Sequence, residues 1–281
     1  MEIAIALLFG LAVGSFLNVC IARMPLRESI VTPRSRCPGC RAPIAAYDNI
    51  PVLSWLLLGG RCRNCRKPIS IRYPAVEALT AIMSVLIVLQ YGLGKEWFTF
   101  FVFGCAMIVL AFIDADYRIL PDRITLNGIW VGLLVSLIVV RPSPLVSWLF
   151  LKSGVDPGDP RVLSFGGSLL GAILGGGLLW AVGEAFYRVR GIEGLGFGDV
   201  KMMAMVGAFL GVQLTLFTIL VGSLLGSIIG IVMIRFLGKS RNYELPYGTF
   251  LAFGAVLAVL CGDWLIKIYL SWFDPQGTIR F

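Results

Sequence analysis

Two aspartates and four cysteines are the residues of this chain whose types and spacing carry chemistry. Asp199 closes the stretch Gly-Leu-Gly-Phe-Gly-Asp (194–199), where a long apolar segment begins. Asp114 ends an earlier apolar run and opens Asp-Ala-Asp-Tyr-Arg-Ile-Leu-Pro-Asp (114–122). A carboxylate at the edge of an apolar span is costly unless it is paired or does chemistry. The glycines at 194, 196 and 198 let backbone approach closely and let a helix begin abruptly. Two neighbouring carboxylates suit hydrolysis through an activated water. Like charges a few ångströms apart share one proton, so one member takes a proton from water while the other protonates or hydrogen-bonds the scissile carbonyl. Their individual roles are not separable at this level, because such titrations are coupled. Each aspartate also has a plain helix-cap reading, Asp199 as the N-cap before Val200. Asp116 and Asp122 compete for the same role. In a helix Asp116 points away from Asp114, and Asp122, following Pro121, is explained as a first-turn acid.

The chain contains no histidine. That removes Ser-His-Asp and Cys-His nucleophile schemes and His-Glu-x-x-His zinc hydrolysis together. Any general acid or base is Asp, Glu, Lys, Tyr or Cys.

Cys37-x-x-Cys40 and Cys62-x-x-Cys65 form two knuckles close to zinc-ribbon spacing. Four thiolates close a tetrahedral site that Zn2+ favours, and they leave no open position, so the expected role is structural. Pro38-Gly39 and Arg63-Asn64 supply turn residues, and Arg36, Arg41, Arg61, Arg63 and Arg66 offset the anionic charge of the tetrathiolate centre. The alternative is two disulfides, which a reducing cytoplasmic setting disfavours. Cys20, Cys105 and Cys261 sit in apolar runs and read as small hydrophobes.

The elements that must position these residues are membrane spans. At 281 residues, 58% hydrophobic and 14% charged, the composition is that of an all-α polytopic membrane protein with several stretches near the ~20 apolar residues a bilayer crossing needs. About eight transmembrane helices are expected, at 2–22, 75–92, 98–113, 123–140, 165–188, 200–212, 214–235 and 248–270. The region 200–235 also reads as one kinked segment. The first span lacks a basic n-region and a small-residue cleavage site, so it is expected to remain uncleaved. Of 24 Lys and Arg, 18 fall on one face, which the positive-inside rule makes cytoplasmic, with both termini outside and both aspartates at cytoplasmic span ends. The domain plan is a first helix (1–22), a cytoplasmic four-cysteine zinc-ribbon-like insertion (23–74) and a transmembrane bundle (75–281). The insertion is too small to fold on apolar burial alone and needs a staple. No repeat of 20–50 residues is expected. Trp148 reads as a headgroup anchor in the outer loop 141–164. Gly167, Gly171 and Gly175, and Gly222, Gly226 and Gly230, mark faces for close helix packing, within the chain or between chains.

Among other charges, Lys201 either steadies the anion at Asp199 or snorkels to the interface. Glu184 and Arg188 fit an i,i+4 ion pair, and Arg72-Tyr73-Pro74 anchors the second span. Glu77, just inside that span, has no local partner in sequence and is a candidate either to face the aspartate site or to meet a basic substrate segment.

With these residues in view, the chain resembles the type IV prepilin peptidases, bifunctional leader peptidase/N-methyltransferases of the GxGD aspartic membrane protease class. The resemblance runs in order through GSFLNVCIARMP (14–25), both CxxC pairs, DNIPVLSWLLLGGRC (48–62), RYPAVE (72–77), FIDADYRILPD (112–122), GLGFGDVKMMAMVGA (194–208) and LPYGTFLAFG (245–254). It implies that Asp114 and Asp199 are the catalytic pair. It also implies that the substrates are prepilins or pseudopilins with a short basic leader ending in Gly, cut after that Gly at the cytoplasmic face of a bacterial inner membrane. The new N-terminal residue, usually Phe, would then be methylated with S-adenosylmethionine. In this family methyl transfer is associated with the cysteine domain and its Gly-Gly-Lys-Cys stretch. Here that reads Gly59-Gly60-Arg61-Cys62, which points to Gly60 and Arg61 near the methyl donor, with the charge kept and the ammonium replaced by guanidinium. No nucleic-acid partner is expected, and the oligomeric state is not readable. Three other readings stand beside this one: a leader peptidase without methyltransferase activity, an ion- or proton-coupled transporter, and a zinc-ribbon scaffold. A transporter calls for acids near the bilayer centre, whereas these lie at span ends. A scaffold leaves the aspartates without a role.

Overall fold

A computed structural model describes residues 1–141, 143, 146–147, 150, 152, 159–192, 194–238, 245–262, 264–265 and 268. Trp148, Lys267 and Arg280 lie outside the described residues. The chain forms two compact units, Met1–Ile113 and Asp114–Phe281.

The first unit contains α1 (Glu2–Arg23), a 3-10 turn (Ala46–Asn49), the short α2 (Leu53–Leu57), α3 (Arg72–Tyr91) and most of α4 (Lys95–Tyr117). Helices α1 and α3 pack backbone to backbone. A Cβ on Gly10 would lie 2.6 Å from Cα of Ala81, and one on Gly14 would lie 2.7 Å from Cα of Glu77. In lipid, where apolar surface gives helices little reason to associate, such small residues permit the close contact that dispersion requires. The Asn18 amide donates to the Tyr73 carbonyl at 3.0 Å and ties the lower ends of the two helices together. Near the other end Trp97 stacks on Phe101 at 5.4 Å, and Phe9 packs against both rings.

Between α1 and α3 the chain makes a local repeat that the sequence reading had not anticipated. Arg36–Ile44 and Arg61–Ile69 read Arg-Cys-x-x-Cys-Arg-x-Pro-Ile twice. Each knuckle closes with the same hydrogen bonds, Cys37 N to Ala42 O (2.9 Å) and Arg41 N to Cys37 O (2.8 Å), then Cys62 N to Lys67 O and Arg66 N to Cys62 O (both 3.0 Å). Arg41 and Arg66 both take positive φ, 58° and 56°. The two copies start 25 positions apart, at Arg36 and Arg61, which corrects the expectation of no repeat at 20–50 residues.

The second unit contains the end of α4, then α5 (Asp122–Val135), α6 (Pro160–Arg190), α7 (Phe197–Phe236) and α8 (Tyr247–Leu257) with a π-turn at Ala258–Gly262. Helix α6 starts where Asp159 accepts from the Arg161 amide at 2.8 Å, with Pro160 leading, and stops at Gly191 in the left-handed conformation. Helix α7 is 40 residues long but is broken at Gly211 (φ 73°, ψ −177°). Unbroken it would run about 60 Å, twice the hydrocarbon thickness. The break falls between the two spans expected at 200–212 and 214–235, so the 40-residue stretch is two helices joined at a kink.

Five described helices are long and apolar enough to cross a membrane: α1, α3, α4, α6 and α7. Within the stretch expected at 123–140 the structure shows α5, of 14 residues, and within that expected at 248–270 it shows α8 and its π-turn, running Tyr247–Gly262, with residues 263, 266–267 and 269–270 outside the described ones. The glycine stripes pack inside the chain. Gly171 meets the Gly207 carbonyl and Gly175 the Met203 carbonyl, while Gly222 faces Leu251 at 2.8 Å. Helix α7 is thus gripped by α6 on one side and α8 on another.

Candidate active site and metal centre

Asp114 and Asp199 both belong to the second unit, and both are buried, 6% and 8% exposed. Asp114 sits in the last turn of α4, and Asp199 is the third residue of α7. Their side chains converge on Gly248, the second residue of α8. A Cβ built there would lie 3.0 Å from Asp199 Oδ1 and 3.1 Å from Asp114 Oδ2. The two oxygens are therefore at most about 6 Å apart, a gap that one water molecule can bridge.

Neither aspartate is a helix cap. The N-cap of α7 is Gly196, and no side-chain cap bond forms there. Asp114 Oδ2 instead accepts two hydrogen bonds from Thr249, from the backbone amide at 2.7 Å and the hydroxyl at 3.0 Å. Gly248 and Thr249 were missed as site residues in the sequence. Their signal was the turn Pro-Tyr-Gly-Thr opening a helix, where a glycine and a first-turn donor carry no obvious chemistry until the two acids are in place. Tyr247 joins the same helix start to α7 through its hydroxyl, 2.8 Å from Ser223 Oγ.

The glycines before Asp199 serve packing and the helix start. Gly194 lies against the Phe186 ring, and a Cβ on Gly198 would press on Leu120 at 3.1 Å. Asp116 is exposed, so it does not join the pair. Lys201 does not steady Asp199 as one expectation had it. Its Nζ pairs with Asp122 Oδ1 at 2.7 Å and lies over the Phe197 ring, so the pair pins α7 to α5. The expected Glu184–Arg188 pair forms at 2.8 Å.

In the first unit all four knuckle cysteines come together, every Sγ within 4.8 Å of the others. Cys37 Sγ and Cys65 Sγ are 3.8 Å apart, which matches the ~3.8 Å edge of a tetrahedron with Zn–S bonds of about 2.3 Å. All seven cysteines are free thiols, so the disulfide alternative is not adopted. The Cys40 amide leads a set of hydrogen bonds that lowers the Cys37 thiol to about 6. Arg63 does not simply offset cluster charge as expected. Its guanidinium grips the Asp48 carboxylate from Nε (3.0 and 2.9 Å) and Nη2 (2.6 Å) and lies over the Tyr47 ring.

Gly60 has a sufficient structural explanation. Its φ is +65°, and a Cβ would strike the Trp55 ring at 2.8 Å. The Trp55 indole donates to Ile69 O at 3.0 Å, locking the second knuckle to α2. Arg61 lines a partly open cavity of about 210 Å³ in the same unit, together with Asn18, Trp55, Tyr73 and Glu77. That volume is below the ~300 Å³ at which pockets begin to hold a whole drug-sized ligand, so it suits one end of a larger molecule.

The chain matches known proteins over almost its whole length. The bacterial peptidase A24 N-terminal domain matches residues 8–91, and the type IV leader peptidase family matches residues 101–231. The chain is 36% identical to the prepilin leader peptidase/N-methyltransferase of Aeromonas hydrophila, covering 95% of this chain and 93% of that protein. It is 33% identical to the protein of the same name from Pseudomonas aeruginosa (94% and 92% covered). Against that of Legionella pneumophila the identity is 34% (94% and 93% covered). No solved structure shows significant similarity to the chain.

Proposed function

The chain belongs to the type IV leader peptidase family, and from that premise we propose that it is a multi-pass prepilin leader peptidase/N-methyltransferase whose catalytic pair is Asp114 and Asp199. The single observation that supports this pair most is the approach of both buried carboxyls to the hydrogen face of Gly248. A water held there would give its proton to the ionised aspartate as it attacks the leader carbonyl. The protonated partner would donate to the carbonyl oxygen and later supply the leaving amine. Thr249, donating twice to Asp114, fixes that carboxylate's rotamer and biases which oxygen faces the water. The burial of the pair keeps its field unscreened by bulk water.

The substrate assignment is a prepilin or pseudopilin with a basic leader, cut at the cytoplasmic side of a bacterial inner membrane. The charge distribution supports that orientation and puts both termini outside. We assign residues 1–22 to a first helix, 23–74 to a cytoplasmic zinc domain and 75–281 to the peptidase bundle. Cys37, Cys40, Cys62 and Cys65 hold one structural Zn2+, which cross-links two turns that have almost no apolar core of their own. For methyl transfer we place S-adenosylmethionine at the Gly60-Arg61 turn, with Arg61 on the cavity wall.

The test is incubation of purified enzyme with a prepilin and S-adenosylmethionine, followed by mass spectrometry. Wild type should yield a pilin shortened by its leader and heavier by one methyl. Asp114→Asn and Asp199→Asn should each abolish cleavage, by at least about 1,000-fold on the scale of catalytic-residue removal, while the protein still inserts and binds zinc. Either variant retaining cleavage would remove that aspartate from the mechanism.

A further inference from the structure

Glu77 is buried, 8% exposed, a turn and a half into α3, and it lines the cavity of the first unit. Its Oε2 accepts from the Val52 amide at 2.7 Å, and the Ser15 hydroxyl is its other partner. Both donors are neutral. Among the described residues no lysine or arginine pairs with it. The other acid of the cavity wall, Asp48, is already held by Arg63. A buried carboxyl in an apolar helix is costly without a cation. Val52 adds a second sign of function. It is β-branched yet has φ +61°, ψ −50°, a conformation such residues avoid and that recurs where backbone is held to a purpose. What this one does is aim an amide at Glu77.

We propose that this cavity receives the free α-amine of the cleaved pilin and that Glu77 is the carboxylate that binds it and takes its proton for methylation; the proposal rests on the methyltransferase reading above. The cavity, partly open and of about 210 Å³, has room for the amine end of one residue. The wall offers what an N-terminal aromatic residue would use, the rings of Trp55 and Tyr73 beside an unpaired acid. In the step, the ammonium loses one proton to the Glu77 carboxylate. The amine lone pair then attacks the methyl carbon of S-adenosylmethionine, an N–C bond forms and the C–S bond breaks. The sulfur keeps the bonding pair and leaves as neutral S-adenosylhomocysteine, and the proton on Glu77 passes to water. Asn18 and Tyr73 act as positioning residues, since their hydrogen bond fixes the floor between α1 and α3. Asp114 and Asp199 lie in the other unit, so the two reactions use separate groups.

The experiment uses the full-length zinc-loaded enzyme and four readouts. These are prepilin cleavage, methylation of a pilin already cleaved, binding of labelled S-adenosylmethionine, and thermal stabilisation by a short peptide with a free N-terminal Phe. Glu77→Gln should lower methylation of the pre-cleaved pilin by about 100-fold, in kcat, with cleavage and donor binding changed less than about twofold. Glu77→Asp should recover part of the loss. The free-amine peptide should raise the Tm of wild type and not of Glu77→Gln, and its N-acetylated form should do neither. Val19 lines the cavity as well, and Val19→Phe, which narrows it while keeping the acid, should also lose methylation and keep cleavage. Unchanged methylation in Glu77→Gln overturns the proposal. So does loss of donor binding, which would make this the donor's pocket, and so does equal loss of cleavage and methylation in both Glu77→Gln and Val19→Phe. Wild-type enzyme that cleaves without methylating sinks the methyltransferase reading itself, and the proposal with it.

Discussion

Gly248 occupies the spot where a side chain would separate the two aspartates, and its hydrogen leaves that spot open. Gly248→Ala puts a methyl 3.0 Å from Asp199 Oδ1 and 3.1 Å from Asp114 Oδ2, closer than a carboxylate oxygen and a methyl sit comfortably. Cleavage should fall by about 100-fold or more, since a displacement near 1 Å at reacting atoms costs that much, with both aspartates and the overall fold kept. A kinetic assay on a prepilin, alongside the melting temperature, checks both halves of that statement. Asp48 tells a residue-scale story of a different kind. Hydrogen bonds from Arg63, helped by its charge, hold the carboxyl below the usual carboxylate range. A depressed carboxylate lends stability that is present above its unfolded value, about 3.9, and is lost as pH falls through the lower folded value. The turn at 46–49 should therefore stay ordered down to about pH 4 and loosen below it, whereas Asp48→Ala loosens it at every pH. Hydrogen exchange of the turn's amides reports the difference.

At the scale of elements, the four-cysteine region is held by turns and not by a core. Its two knuckles repeat one hydrogen-bond pattern, and the contact between them is close: a Cβ on Gly39 would meet Lys67 at 2.7 Å. Cys37→Ser removes one of four ligands and should drop bound zinc well below about one equivalent per chain, with Trp55 becoming more exposed as the second knuckle comes away from α2. Metal analysis and tryptophan emission measure this. Unchanged zinc content would count against the site. In the bundle, α7 is the element on which the proposed catalytic pair depends. Its first piece carries Asp199, its break at Gly211 lets Gly171 approach, and its second piece offers Gly222 and Gly226 to α8, which carries Gly248 and Thr249. The glycine stripes thus bear on the site through packing, by holding α8 close enough for its first turn to reach both acids.

For the molecule as a whole, 18 of the 24 basic residues lie on one face of the expected topology, and protease access tests it. Trypsin should cut after the exposed Arg27 and Arg34 in inverted vesicles and leave them intact in spheroplasts. The opposite pattern would reverse the orientation and move the catalytic side with it. Class, membrane character, absence of histidine chemistry, the cysteine knuckles and the two aspartates were all legible in the sequence. Each is a matter of composition, periodicity or short-range spacing, and physics acting over a few residues fixes those. Helix lengths were less legible, because hydropathy marks an apolar stretch such as α5 without fixing how long its helix runs. Lys201's partner could not be read at all, since the ion pair joins residues from two helices far apart in sequence. Only tertiary structure decided that Gly248 and Thr249 stand at the acids, that Gly171 faces Gly207, and that Glu77 meets the Val52 amide. Those contacts arise when packed helices bring distant residues within a few ångströms, and no local pattern records such an approach.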